Sequence, residues 1–148
     1  MPETDNIRMA RRALILSAVW ALVTGVGVAN AQTGEQLSSS WAQANVCNAT
    51  QLGARAQLAG DGSKSDVSAR FTAQWLSPNG WVPLGGAATS PWQSAGSAEF
   101  TWSQAGWTFS ISVPPGHQYQ LRAVAELRWS GATNRSETHI TGTCTVGA

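Results

Sequence analysis

The sequence predicts an all-β protein, an antiparallel sandwich of about seven or eight strands. Three observations lead there. Apolar and polar residues alternate along short runs, and no sustained helical period follows Trp41. Gly, Pro, Asn and Asp break those runs at intervals of about ten residues, as turns between short strands do. Two cysteines, Cys47 and Cys144, stand near the two ends of this region and predict one disulfide tying its start to its end.

Taken in order, residues 1–31 read as a secretory signal. Arg8, Arg11 and Arg12 supply a basic start, Ala13 to Val28 an apolar stretch, and Ala29-Asn30-Ala31 a small-residue cleavage triplet. The apolar stretch approaches membrane-spanning length, but Thr24, Gly25 and Gly27 weaken it. Cleavage after Ala31 is therefore expected, leaving a secreted chain with no membrane span. Residues 32–40 are small and polar and read as a flexible lead. Residues 41–148 suit a single β-sandwich domain in length.

Within that domain, Trp41 to Cys47 is expected as an edge strand. Leu52, Ala54, Ala56 and Leu58 share one face of the next strand. Gly60 to Ser65 is polar and reads as a mobile loop. Phe71, Ala73 and Trp75 alternate with Thr72 and Gln74; Ser77-Pro78-Asn79-Gly80 then turns the chain so that Trp81 to Leu84 returns as the second arm of a hairpin. Gly85 to Gly96, with Pro91 and Trp92, is expected as a loop. A strand is expected over Ala98 to Trp102 with Phe100 inward. In the following strand Trp107, Phe109, Ile111 and Val113 face inward, and in a long one Tyr119, Leu121, Ala123, Ala125, Leu127 and Trp129 do. A last strand over Thr138 to Val146 carries Ile140 and Cys144.

Val113-Pro114-Pro115-Gly116-His117-Gln118-Tyr119, followed by Gln120-Leu121-Arg122-Ala123-Val124-Ala125, resembles the fibronectin type III pattern, in which a Pro-Gly turn leads into a strand that begins with tyrosine. The hairpin from Phe71 to Leu84 is similar to the central hairpin of the same family. The resemblance implies an immunoglobulin/fibronectin type III-like sandwich, with Tyr119 as its tyrosine corner. It implies a scaffold and no particular activity.

Charge excludes two classes of partner. In residues 32–148, Arg55, Lys64, Arg70, Arg122, Arg128 and Arg135 balance Glu35, Asp61, Asp66, Glu99, Glu126 and Glu137. A neutral domain without a basic run has little with which to neutralise nucleic-acid phosphates or anionic lipid. The Ala-rich composition, with Arg favoured over Lys, suggests a bacterial source with a GC-rich genome.

Tryptophan is the unusual residue. Trp75, Trp102, Trp107 and Trp129 fall on the apolar phase of their expected strands and read as core. Trp41, Trp81 and Trp92 lie at strand ends or in a loop, and are the candidate ligand-contact aromatics. An exposed indole beside uncharged polar side chains suits the C–H face of a sugar ring, and also a protein partner.

Catalytic, cofactor and metal sites are not expected. The carboxylates are scattered and no serine lies in a nucleophile elbow. A pair such as Glu126 with His139 could meet across adjacent strands, where a satisfied surface pair is expected over an acid–base couple, and Glu99 with Glu126 would serve a glycosidase only if they shared a cleft. Zinc would need ligands beyond the two cysteines, with His139 the one nearby candidate. Asn48-Ala49-Thr50 and Asn134-Arg135-Ser136 match the glycosylation pattern. The expected function is non-enzymatic contact with a protein or polysaccharide at the cell exterior, as an adhesive or structural module; the alternatives are a carbohydrate-binding module and a small secreted hydrolase.

Overall fold

The computed structural model describes residues 39–147. The expected signal segment, its cleavage point after Ala31 and residues 32–38 of the expected lead lie outside the described residues. Nine strands form: β1 (Trp41–Cys47), β2 (Gln51–Ala59), β3 (Asp66–Ser77), β4 (Gly80–Pro83), β5 (Gln93–Ser97), β6 (Trp102–Ser110), β7 (Tyr119–Ser130), β8 (Arg135–Ile140) and β9 (Cys144–Val146). They build an all-β sandwich of two antiparallel sheets. The smaller runs β1-β2-β6; the larger runs β4-β3-β7-β8, with β5 also pairing β3 and β9 also pairing β7.

The period-2 alternation places the core. Leu52, Ala54, Ala56 and Leu58 of β2 face the alternate residues Val67, Ala69, Phe71 and Ala73 of β3 and Leu121, Ala123, Ala125, Leu127 and Trp129 of β7, all of them buried. Alanine fills much of this interior, so a few large side chains carry most of the apolar burial. Trp129 is fully buried, and its indole N–H donates to the Ala59 carbonyl oxygen of the other sheet at 3.0 Å, so its one polar atom is satisfied.

The expected disulfide is present. Cys47 ends β1 in the small sheet and Cys144 begins β9 in the large one, with Cα atoms 6.2 Å apart and a sequence separation of 97. Closing so long a loop restricts the unfolded chain by about 4 to 5 kcal/mol in the entropy model.

Several local expectations are corrected. Ala98 to Thr101 forms the turn between β5 and β6 instead of a strand, and Phe100 is 65% exposed. Gly60 causes this: its N–H donates to the Thr101 carbonyl, and a Cβ there would overlap the Phe100 carbonyl oxygen, so the turn lies directly against the glycine backbone. The loop from Gly60 to Ser65, expected to be mobile, is hydrogen-bonded along its length. Asp61 and Gly62 donate to the Ala98 carbonyl, and buried Ser65 exchanges hydrogen bonds with Thr133. Ser40, assigned to the flexible lead, accepts from the Ala59 N–H at 3.1 Å.

The expected loop at residues 85–96 contains part of β5, which pairs with the start of β3, and Thr89 forms a bridge to Thr72. The expected last strand divides at Thr141. That buried side chain accepts the Ala123 N–H while its own N–H bonds the Ala123 carbonyl, and Ile140 is left 52% exposed. β9 then resumes pairing at Leu121. Tyr119 begins β7 as the resemblance implies, but no corner hydrogen bond forms among the described residues. Its ring instead packs edge-on to Trp75, with centroids 5.8 Å apart, and stacks with His117.

Candidate functional site

The sandwich offers two broad outer faces, and both carry tryptophan. On the large sheet, the outward residues of β3 and β7 pair across the ladder as Arg70 with Glu126, Thr72 with Val124, and Gln74 with Arg122. Arg70 makes a two-point contact with Glu126, Nε to Oε2 at 2.9 Å and Nη2 to Oε1 at 3.1 Å. This pairing holds the Arg70 guanidinium above its ordinary pKa, through the Glu126 hydrogen bond first and its charge second. Arg122 donates through Nε to Gln74 Oε1 at 2.8 Å.

Two of the candidate ligand-contact aromatics lie on this face, and cations cover both. The Arg122 guanidinium carbon lies 4.2 Å from the Trp81 ring centroid. Trp92 receives Arg128 at 4.0 Å and Arg70 at 4.8 Å. Both indoles are half-buried. Each such contact contributes on the order of 0.5 to 2 kcal/mol. The sequence suggested exposed rings here; the structure uses their π surfaces to seat three arginines that hydrogen bonding alone only partly fixes.

The outer face of the small sheet has a different chemistry. Register places Trp41 beside Gln57 and Gln57 beside Gln104; Gln43 beside Arg55 and Arg55 beside Gly106; and Gly53 beside Thr108. At the end of this face Trp102 pairs with Ala59. A β-bulge in β1 turns Asn45 onto the same surface, and Gly53 makes room for it, because a Cβ there would lie 2.8 Å from Asn45 Oδ1. Among the described residues the result is an amide-rich field with Val46 beside Gly53, one cation, Arg55, and no carboxylate. A shallow polar depression of about 720 Å³ opens around Gly106, lined in part by Asn45, Arg55, Gln104 and Thr108.

Trp41 and Trp102 stand together at one end of this field. From the register and ordinary strand spacing their Cα atoms stand about 12 Å apart. Trp41 is half-buried and Trp102 is 52% exposed, and no cation covers either ring among the described residues. The core assignment of Trp102 is therefore wrong. In β6 the inward phase runs Ser103, Ala105, Trp107, Phe109, which turns Trp102 outward with Gln104 and Thr108. The other three tryptophans expected in the core do face inward. Trp129 is buried, whereas Trp75 and Trp107 are half-buried against the core.

The pairings considered for catalysis do not assemble. His139 Nε2 meets Glu137 Oε2 at 2.8 Å, and Glu137 also accepts from Arg135, while Glu126 is engaged by Arg70. Glu99 sits in the β5–β6 turn against Ser97, and neither it nor Glu126 lines the depression around Gly106 or the cavity between the sheets. Both cysteines are consumed by the disulfide, and no cluster of metal-ligating residues forms among the described residues. The two glycosylation-like triplets have local structural uses. Asn48 Oδ1 accepts from the Thr50 and Gln51 N–H groups to close the β1–β2 turn, and Asn134 exchanges hydrogen bonds with Gly131 after β7.

No protein-family model matches the chain, and no curated protein matches it.

Proposed function

We propose that this is an exported, non-enzymatic binding module that acts by contact at the cell exterior, and that it binds a neutral polysaccharide on the outer face of the small sheet. One observation carries the reading. Trp41 and Trp102 stand together at one end of a field of Gln43, Asn45, Gln57, Gln104 and Thr108 that, among the described residues, contains no carboxylate and a single cation. Indole faces suit the C–H surfaces of pyranose rings, and uncharged amides supply donors and acceptors to hydroxyl groups without a large desolvation cost. An apolar patch of several hundred Å² would favour a protein partner instead; this face is polar between its two rings.

Two further features support the rest of the reading. A disulfide joining the sheets suits an oxidising compartment and therefore export. The pairings β1-β2-β6 and β3-β7-β8 follow the A-B-E and C-F-G order of immunoglobulin-like sandwiches, with β4 added beside β3, which supports an immunoglobulin- or fibronectin type III-like relationship.

The test is tryptophan fluorescence of the disulfide-intact protein during titration with soluble neutral polysaccharides. A saturable shift is expected, lost in Trp102→Ala, weakened in Trp41→Ala and kept in Trp81→Ala and Trp92→Ala. Loss through Trp81 or Trp92 would move the site to the other face, and a flat response across the panel would overturn the carbohydrate reading in favour of a protein partner.

A further inference from the structure

A second cavity, unrelated to either outer face, opens between the sheets at one end of the sandwich. It has a volume of about 470 Å³, within the range of small-molecule sites. β6 ends at Ser110, and the chain continues as Ile111 to Pro114 without strand pairing, so the small sheet stops short of covering the large one here. Trp75, Tyr119 and Leu121 form one wall, Phe109, Ile111 and Val113 the other, and the segment from Leu84 to Ala88 closes over them. Ala73 and Ala88 project only methyl groups into a space where larger side chains would have filled the gap.

The lining chemistry defines the occupant. No charged residue lines this cavity. Trp129 spends its indole N–H on Ala59, whereas neither the Trp75 N–H nor the Tyr119 hydroxyl bonds another described residue, and neither is a buried unsatisfied atom. Both polar tips are therefore open to water or to a ligand. Carboxylate and ammonium groups would lose hydration here with no opposite charge to offset it.

The geometry points to a binding site for a small neutral amphiphile, with a hydrocarbon body that fills the space between the sheets and one hydroxyl or carbonyl oxygen that meets Trp75 or Tyr119. The site is independent of the polysaccharide face. Its occupant would be shielded by the Leu84–Ala88 segment, whose Gly86 adopts a φ of 70°.

The experiment is a titration of the disulfide-intact protein with 1-decanol, read by calorimetry and by the Trp75 indole N–H resonance in ¹⁵N-labelled protein. Saturable one-to-one binding is expected, with a shift of that resonance, and binding at least tenfold weaker for decanoate and for decyltrimethylammonium. Ala73→Leu, which fills the cavity, should reduce decanol affinity at least tenfold while leaving polysaccharide binding intact. Ala88→Leu, on the adjoining segment whose carbonyl accepts the Ala73 N–H, serves the same purpose if the first variant does not fold. Absence of saturation, equal affinity for the charged analogues, or unchanged decanol affinity in a filled and folded variant would overturn the proposal. Loss of polysaccharide binding alone would leave it standing.

Discussion

The two outer faces of this sandwich are built from the same residue type in opposite states. On the large sheet, Trp81 and Trp92 lie under guanidinium groups from Arg70, Arg122 and Arg128. On the small sheet, Trp41 and Trp102 stand beside amides, and no cation covers them among the described residues. A ring already stacked on a cation must give up that contact before it can stack on anything else, whereas an uncovered ring has only water to displace. Tryptophan content therefore says little about binding until each ring's neighbours are known. Here the face with more charge is internally satisfied, and the face with less charge is the one to which the proposed ligand is assigned.

The disulfide offers the largest perturbation of that contrast. It fastens β1, the strand that carries Trp41, to β9 of the other sheet. Replacing both cysteines with serine should destabilise the protein by about 4 to 5 kcal/mol, measured as a lowered urea midpoint. At concentrations where the variant remains folded, polysaccharide binding should weaken while the environments of Trp81 and Trp92 stay unchanged. Trp129→Ala, in the core shared by both sheets, should cost about 3 to 5 kcal/mol by the same measurement.

Effects on the faces themselves are smaller. Trp102→Ala should leave stability within about 0.5 kcal/mol of the parent, as exposed substitutions do, and still reduce polysaccharide affinity at least tenfold. Arg128→Ala should show the reverse, costing about 0.5 to 2 kcal/mol through lost contact with Trp92, with greater acrylamide quenching and no change in binding. The contrast collapses if these two variants behave alike.

pH separates binding from stability. Among the described residues no carboxylate or histidine lies on the Trp41–Trp102 face, so affinity should stay flat across roughly pH 5 to 8. Stability should respond at lower pH. Hydrogen bonds from Ser63, assisted by Thr133 and Arg135, hold Asp61 below its ordinary value of 3.8. A lowered folded-state pKa contributes stability that is complete above the unfolded value and is lost as pH falls through the folded one. Asp61→Asn should therefore flatten part of the acid limb of a stability profile.

Much of the fold was legible because the alternation is strict where strands are buried on one side. The runs Leu52 to Leu58 and Leu121 to Trp129 read directly as core faces. The two cysteines could pair only with each other. Trp102 was missed where the same rule should have found it: continuing the phase of Trp107 backward through Ala105 and Ser103 puts Trp102 outside. The expected strand over Ala98 to Trp102 instead took its phase from Phe100, which turned Trp102 inward. β5 was hidden for a different reason. Gln93 to Ser97 has no apolar alternation to report, since its place is fixed by pairing with the start of β3. The arginine caps on Trp81 and Trp92 were illegible in principle, because Arg70, Arg122 and Arg128 reach those rings from strands distant in sequence.

The position of the disulfide also decides how the domain would answer to force. Tension applied to the two ends of the chain would pass from Cys47 to Cys144 through the covalent bond, leaving everything from Asn48 to Thr143 outside the path of the pull. Only the segments beyond the bridge would feel it. On one side that segment is β1 itself, whose ladder to β2 from Trp41 to Val46 would unzip one bond at a time. Such peeling would lift Trp41 from the amide field while the core stayed folded, so a pull on the chain would dismantle the proposed binding face before it threatened the fold.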